Sequence, residues 1–192
     1  MNLRVLLIEH DQIRASSLRH ALIDNGYEVV ARVSMQDDLL CQMQQVDPDI
    51  VIVDLESPDR GILESMRSIN RDQPRPIVMF AENSDKAIIA EAVKAGVSAY
   101  VVDGFDPNRL NPIMEVAIAR FREFQALRCE LEATRNKLED RKQIDKAKGI
   151  LMKQKRVSED EAYQALRKMA MDKNLKMVDV ARNVITVAEL LN

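Results

Sequence analysis

Ile50–Asp54 reads IVIVD: four branched aliphatic residues in a row, then a carboxylate. A strand without polar alternation is buried on both faces, as a central strand is in a parallel sheet covered by helices. Working outward, Arg4–Ile8 (RVLLI), Glu28–Val33 (EVVARV), Ile77–Phe80 (IVMF) and Ala99–Val102 (AYVV) have the same β-rich character. Helical stretches fall between them near Gln12–Asp24, Asp37–Gln45, Ile62–Ile69 and Asp85–Ala95. Asn25-Gly26 and Gly96 follow two of these helices, where a left-handed residue ends a helix without strain. The alternation predicts a doubly wound α/β domain with a five-stranded parallel sheet. Reactive groups in such a domain gather at the carboxyl ends of the strands. Those ends carry Glu9-His10-Asp11, Asp54, Ala81 and Asp103.

The chain has 192 residues, room for one large domain or two small ones at ~100–200 residues each. Its net charge of -3 hides an asymmetry. Residues 1–134 carry 14 basic and 22 acidic side chains, whereas residues 135–192 carry 14 basic and 9 acidic ones. Between Arg141 and Arg156 stand seven basic residues and one acid, Asp145. An acidic domain joined to a tail for a polyanion has this distribution. Cys41 and Cys129 lie far apart, which excludes a disulfide scaffold and a Cys-based zinc site and fits a reducing compartment. The opening MNLRVLLIEHD lacks the pattern of a signal peptide, and no run approaches the ~20 apolar residues of a membrane span. A cytoplasmic protein is expected.

The spacing of LLIEHD, VIVDLESP, PIVMFAE and AGVSAYVVDGF resembles the receiver domain of response regulators, a flavodoxin-like fold. In that resemblance Asp54 stands at the phosphoacceptor position. A working receiver also needs a second acidic neighbour for Mg²⁺, a Ser/Thr after the fourth strand and a Lys after the fifth. These neutralise and sense charge on the transferred phosphoryl group. Here the positions hold His10, Ala81 and Asp103, and the Pro that usually follows the Lys is Gly104. An anionic Asp103 repels both phosphodonor and product. The pocket of Glu9, His10, Asp11, Ala81 and Asp103 therefore reads as a relic, with Asp54 unused and the domain serving as a docking module. Glu9 and Asp11 remain the candidate ligands for Mg²⁺; no other cofactor is implied.

After Ile113 there is no Gly or Pro until Gly149. Phe124, Leu127, Leu131, Thr134 and Leu138 follow 3-4 spacing, an a/d seam flanked by Arg128, Glu130, Glu132, Arg135 and Lys137. A helix of ~25 residues extends ~37 Å, more than a small domain covers, so a parallel homodimer is expected. The expected divisions are 1–112, 113–140 for the coiled-coil helix, and 141–192.

Residues 141–192 read as three helices. Gly149 lies inside the first. Ser158 and Glu161 form a capping box at the start of the second. The third carries Val178, Ala181, Val184, Ile185 and Ala188 at helical spacing. AKGILM (Ala147–Met152), SEDEAYQALRKMAM (Ser158–Met171) and VDVARNVI (Val178–Ile185) resemble the ANTAR domain of transcription antiterminators. ESPDR, RDQPRPIVMF, AGVSAYVV and RFREFQALR resemble nitrate-assimilation regulators of the NasT type within that family.

The resemblance implies a protein that binds paired stem-loops in an mRNA leader, prevents a terminator hairpin and lets the transcription complex continue. It also implies control by a nitrate/nitrite-sensor protein in place of phosphorylation. On physical grounds Lys142, Lys146, Lys148, Lys153, Lys155 and Arg156 are candidate phosphate contacts. Tyr163, Arg167 and Arg156 offer planes for stacking on loop bases. Gly149 removes a side chain where a backbone approaches, and Ala147 is expected to keep that surface flat. The competing readings are a phosphorylation-dependent regulator that binds DNA, and one that binds an acidic protein partner. An enzyme is disfavoured, since no Gly-rich phosphate loop, nucleophile elbow or intact acid/base pair occurs.

Overall fold

The computed structural model describes residues 2–9, 12–34 and 37–190. Of the residues named above, His10 and Asp11 lie outside that set. The chain divides into two compact units, residues 1–125 and 126–192.

In the first unit, β1 (Arg4–Glu9), β2 (Glu28–Ser34), β3 (Ile50–Leu55), β4 (Ile77–Ala81) and β5 (Ala99–Val101) form a parallel sheet ordered β2-β1-β3-β4-β5 among the described residues. All six residues of β3 are buried. Alternate strand residues face two cores. Leu6, Ile8, Val51, Val53 and Met79 pack on α2 (Leu39–Val46), α3 (Arg60–Asp72) and the end of α4 (Lys86–Lys94). Val5, Leu7, Ile50, Ile52 and Phe80 pack on α1 (Gln12–Asp24) and the start of α5 (Leu110–Lys155). Phe105 sets its ring edge-on to Phe80, with centroids 5.7 Å apart.

Local chemistry fixes the helix ends. Asp38, Asp59 and Asp85 cap α2, α3 and α4 by accepting backbone N–H bonds. Gly96 has φ +98°, and a Cβ there would lie 2.4 Å from Asn70 Nδ2. Only glycine fits that turn into β5.

In the second unit, α5 ends at Lys155 and is followed by α6 (Glu159–Lys173) and α7 (Met177–Leu190). The sequence reading separates a connecting helix from a first tail helix near residue 140. Instead α5 is one helix of 46 residues. Nothing in its sequence supplies a stop signal: residues 114–148 hold no Gly or Pro, and Gly149 alone is only a weak helix breaker. The core of this unit is Ala147, Leu151, Ala162, Leu166, Ala170, Val180, Ala181 and Ile185.

Candidate nucleic-acid interface

The carboxyl edge of the sheet shows what the first unit can and cannot do. Glu9 on β1 lies in register with Asp54 on β3, and Leu55 with Ala81 on β4. Asp54 and Ala81 are buried. The Glu9 carboxylate accepts from the Arg32 guanidinium on β2. Asp103, after β5, is exposed and left-handed, with φ +67°. The loops that follow β3 and β4 are fastened to each other through Asn83. Its backbone N–H donates to Glu56 O at 3.2 Å, its Nδ2 to Ser57 Oγ at 3.1 Å, and its carbonyl accepts from Tyr100 Oη at 2.9 Å. Among the described residues no three His, Cys, Asp or Glu side chains are grouped to hold a metal ion. Of the described carboxylates there, Glu9 and Asp54 lie in register on neighbouring strands, and Glu9 is paired with the Arg32 guanidinium.

The second unit is built around the turn from α5 to α6. Arg156 follows α5 with φ +55°, a left-handed conformation costly for a residue with a Cβ. Ser158 then caps α6 by the expected box: its Oγ accepts from Glu161 N–H at 3.3 Å, and its N–H donates to Glu161 Oε2 at 2.8 Å. The Ser158 N–H and the Ser158 Oγ–H, which donates to Glu161 Oε2 at 2.9 Å, hold the Glu161 carboxyl below its ordinary pKa. Asn174, at φ +51°, ends α6.

The basic residues divide into two groups. Lys146 Nζ donates to Glu189 Oε1 at 2.8 Å on α7. Lys148 Nζ lies 2.7 Å from Asp145 Oδ1 and 2.7 Å from Glu159 Oε1, with its side chain only 14% exposed. The two carboxylates raise the Lys148 pKa, and Lys148 in turn lowers that of Asp145. Lys142, Lys153, Lys155, Arg156 and Arg167 are exposed. No salt bridge of theirs occurs among the described residues.

Ala147 is a correction. It is fully buried in the helical core, so it packs against α6 and α7 rather than shaping an exposed surface. Gly149 is partly exposed, and a Cβ there would meet nothing within 4 Å. Packing within the chain therefore gives no reason for glycine. Tyr163 is 39% exposed. It lines a groove of about 360 Å³ with Arg141, Ile144, Asp145, Lys148 and Met177. The sequence reading did not single out Arg141, Lys137 or Met177 as site residues. Lys137 and Arg141 share helical spacing with Lys148 along α5, whereas Met177 comes from α7 and joins them only through the packing of the helices.

The seam residues Phe124, Leu127, Leu131 and Leu138 are each more than half exposed, and Thr134 is exposed. The next positions in the same heptad register are Arg141, Asp145 and Lys148, which turn polar and line the groove. Among the described residues no helix is long and apolar enough to cross a membrane.

Comparison with known proteins agrees with both units. Residues 5–115 match the response regulator receiver domain and residues 132–185 the ANTAR domain. The transcriptional regulatory protein PdtaR of Mycobacterium tuberculosis is 31% identical over 182 residues, covering 95% of this chain and 89% of that protein. The nitrate regulatory protein of Klebsiella oxytoca is 50% identical over 184 residues, covering 95% of this chain and 40% of that longer protein. A two-component response regulator of the LuxR family from Aurantimonas has a solved structure with TM-score 0.54 and 30% identity, covering 62% of this chain and 86% of that one. The chain belongs to the receiver–ANTAR response regulators, RNA-binding antitermination regulators rather than enzymes.

Proposed function

We propose that this protein binds stem-loops in the leader of a nitrate/nitrite-assimilation transcript and prevents termination there. The exposed cations Lys142, Lys153, Lys155, Arg156 and Arg167, on an ANTAR unit of net positive charge, carry the reading. They are available to phosphates, whereas Lys146 and Lys148 are engaged with carboxylates of the chain itself. Gly149 leaves open space beside them. Residues 1–112 act as the regulatory module, 113–140 as the dimer helix and 141–192 as the RNA module.

Control comes from a nitrate/nitrite-sensor protein that holds or releases the receiver, not from phosphorylation. Asp103 in place of a cation, Ala81 in place of a hydroxyl and the Glu9–Arg32 pair support this. Incubation with Mg²⁺ and acetyl phosphate is expected to leave Asp54 unmodified.

Dimerisation runs through the exposed seam in parallel orientation. In that register Glu123 faces Arg128 of the second copy and Glu130 faces its Arg135, two attractive g–e′ pairs per direction against one repulsive pair, Lys137 with Lys142. An antiparallel pairing would set the basic e positions Arg128, Arg135 and Lys142 against one another.

Duplex DNA readout is disfavoured. A recognition helix would need free polar groups, but Arg182 on α7 is paired with Asp140 at 3.3 Å and Asp179 at 3.6 Å. A gel-shift comparison of leader RNA with the same sequence as duplex DNA tests the reading. Tighter binding to the RNA is expected; tighter binding to the duplex refutes it.

A further inference from the structure

The groove between α5, α6 and α7 has the dimensions and chemistry of a base-binding site. Its apolar side is made by the Tyr163 ring with Ile144 and Met177, both half-buried. Lys137 and Arg141 stand exposed at its edge, on the same face of α5. Two carboxylates complete the lining, Asp140 and Asp145. Each uses Oδ1 on a cation of the chain: Arg182 at 3.3 Å for Asp140, Lys148 at 2.7 Å for Asp145. Volume of about 360 Å³ suits a nucleoside-sized guest.

We infer that this groove receives one unstacked loop nucleotide whose base carries an exocyclic amine, stacked on Tyr163 and read by the Asp140 and Asp145 carboxylates. The inference rests on the RNA-binding reading above and assigns it a subsite. Unpaired bases in RNA loops are bound by stacking on aromatic rings, with hydrogen bonds to their edges. Stacking alone accepts any base. The carboxylates add discrimination, because an ionised carboxylate only accepts hydrogen bonds. Adenine, cytosine and guanine each present an amino group to such an acceptor. Uracil presents a carbonyl oxygen where adenine and cytosine carry the amine, and offers these acceptors the single N3–H in place of an amino group's two. The pairing with Lys148 keeps Asp145 ionised at neutral pH. Lys137 and Arg141 are the cations closest along α5 for the phosphates that flank the bound base.

The test uses the full-length protein and RNA hairpins that share one stem and differ only in a homopolymeric loop of A, C or U. The unsubstituted protein is expected to bind A and C loops several-fold tighter than U loops. Tyr163→Phe, which keeps the ring, is expected to retain both affinity and preference. Tyr163→Ala is expected to lose on the order of 10- to 100-fold on A loops, and the preference with it. Lys153→Ala, outside the groove, is expected to weaken all loops equally. Equal binding of the A, C and U loops by the unsubstituted protein overturns the inference without needing any variant. Undiminished binding of A loops by Tyr163→Ala, beside a loss in Lys153→Ala, also overturns it and leaves the RNA reading standing. Failure of the unsubstituted protein to bind any hairpin overturns both.

Discussion

Lys148 and Glu159 are eleven residues apart in sequence, yet Nζ of one lies 2.7 Å from Oε1 of the other. The contact closes the turn between α5 and α6, and Asp145 adds a second carboxylate to the same ammonium. Lys148 thus belongs to the frame of the helical unit, while the cations beyond it remain free for a polyanion. Lys148→Ala is expected to cost on the order of 1 kcal/mol, which lowers the melting temperature by roughly 4–8 °C for a unit of this size. Lys153→Ala is expected to leave melting unchanged and to reduce the salt dependence of RNA binding by about one unit of log–log slope. Calorimetry and titrations across salt concentrations separate the two; equal effects of both on melting would contradict the division.

Gly149 gives the opposite combination. A Cβ at this position meets no atom within 4 Å, and alanine favours a helix interior over glycine by roughly 0.5–1 kcal/mol. Gly149→Ala is therefore expected to raise the melting temperature slightly while weakening RNA binding. A more stable protein with unchanged affinity would show that the open space beside Gly149 is not used by RNA.

The seam makes a separate prediction. Leu131 is 52% exposed in the single chain and occupies a central a position. Leu131→Lys puts two ammonium groups against each other in a parallel dimer and is expected to shift sedimentation toward monomer. The same change should leave the melting of an isolated chain nearly unaltered, since it touches no core. An unaltered monomer-to-dimer ratio would count against the seam.

Acid should loosen the helical unit. The Asp145 and Glu161 carboxyls have folded-state pKa values below their ordinary ones, the first through Lys148 and the second through the Ser158 cap. A depressed carboxyl contributes stability that is present above its unfolded pKa and lost as pH falls through the folded value. Their contributions are thus complete at neutral pH and decline below about pH 4. Lys148 has a raised pKa, so its contribution is intact at neutral pH and is lost only as pH rises through that raised value. Glu161→Gln is expected to flatten the acid limb of a pH–melting curve followed by helical circular dichroism. An acid limb of unchanged slope would show that the capping box does not govern it.

Much of the architecture is legible in the residues because it follows from short-range chemistry. IVIVD, the left-handed glycines Gly26 and Gly96, and the Ser158–Glu161 box each specify a strand or a helix end locally. The candidate interface was less legible, because it depends on which face of α5 meets α6 and α7. Ala147, alone among cations in the sequence, looks like a surface gap; in space it is the apolar contact of that helix with the core. Lys148 looks like its neighbours until Glu159 is brought to it. Arg141 continues the heptad register of Leu138 but lines the groove instead. The division at residue 140 has no counterpart in the backbone, since α5 passes through it without a break. The fastening of Asn83 to Ser57 and Tyr100 joins residues from three separate loops and strands, and no local pattern announces it.

Photochemical crosslinking of the full-length protein to leader RNA, with the attached peptides identified by mass spectrometry, tests the central claim most directly. The crosslinks are expected on residues 137–167, at Tyr163 and the cations around the turn from α5 to α6. Crosslinks confined to the acidic receiver unit, or none under conditions where the leader is intact, would contradict the account.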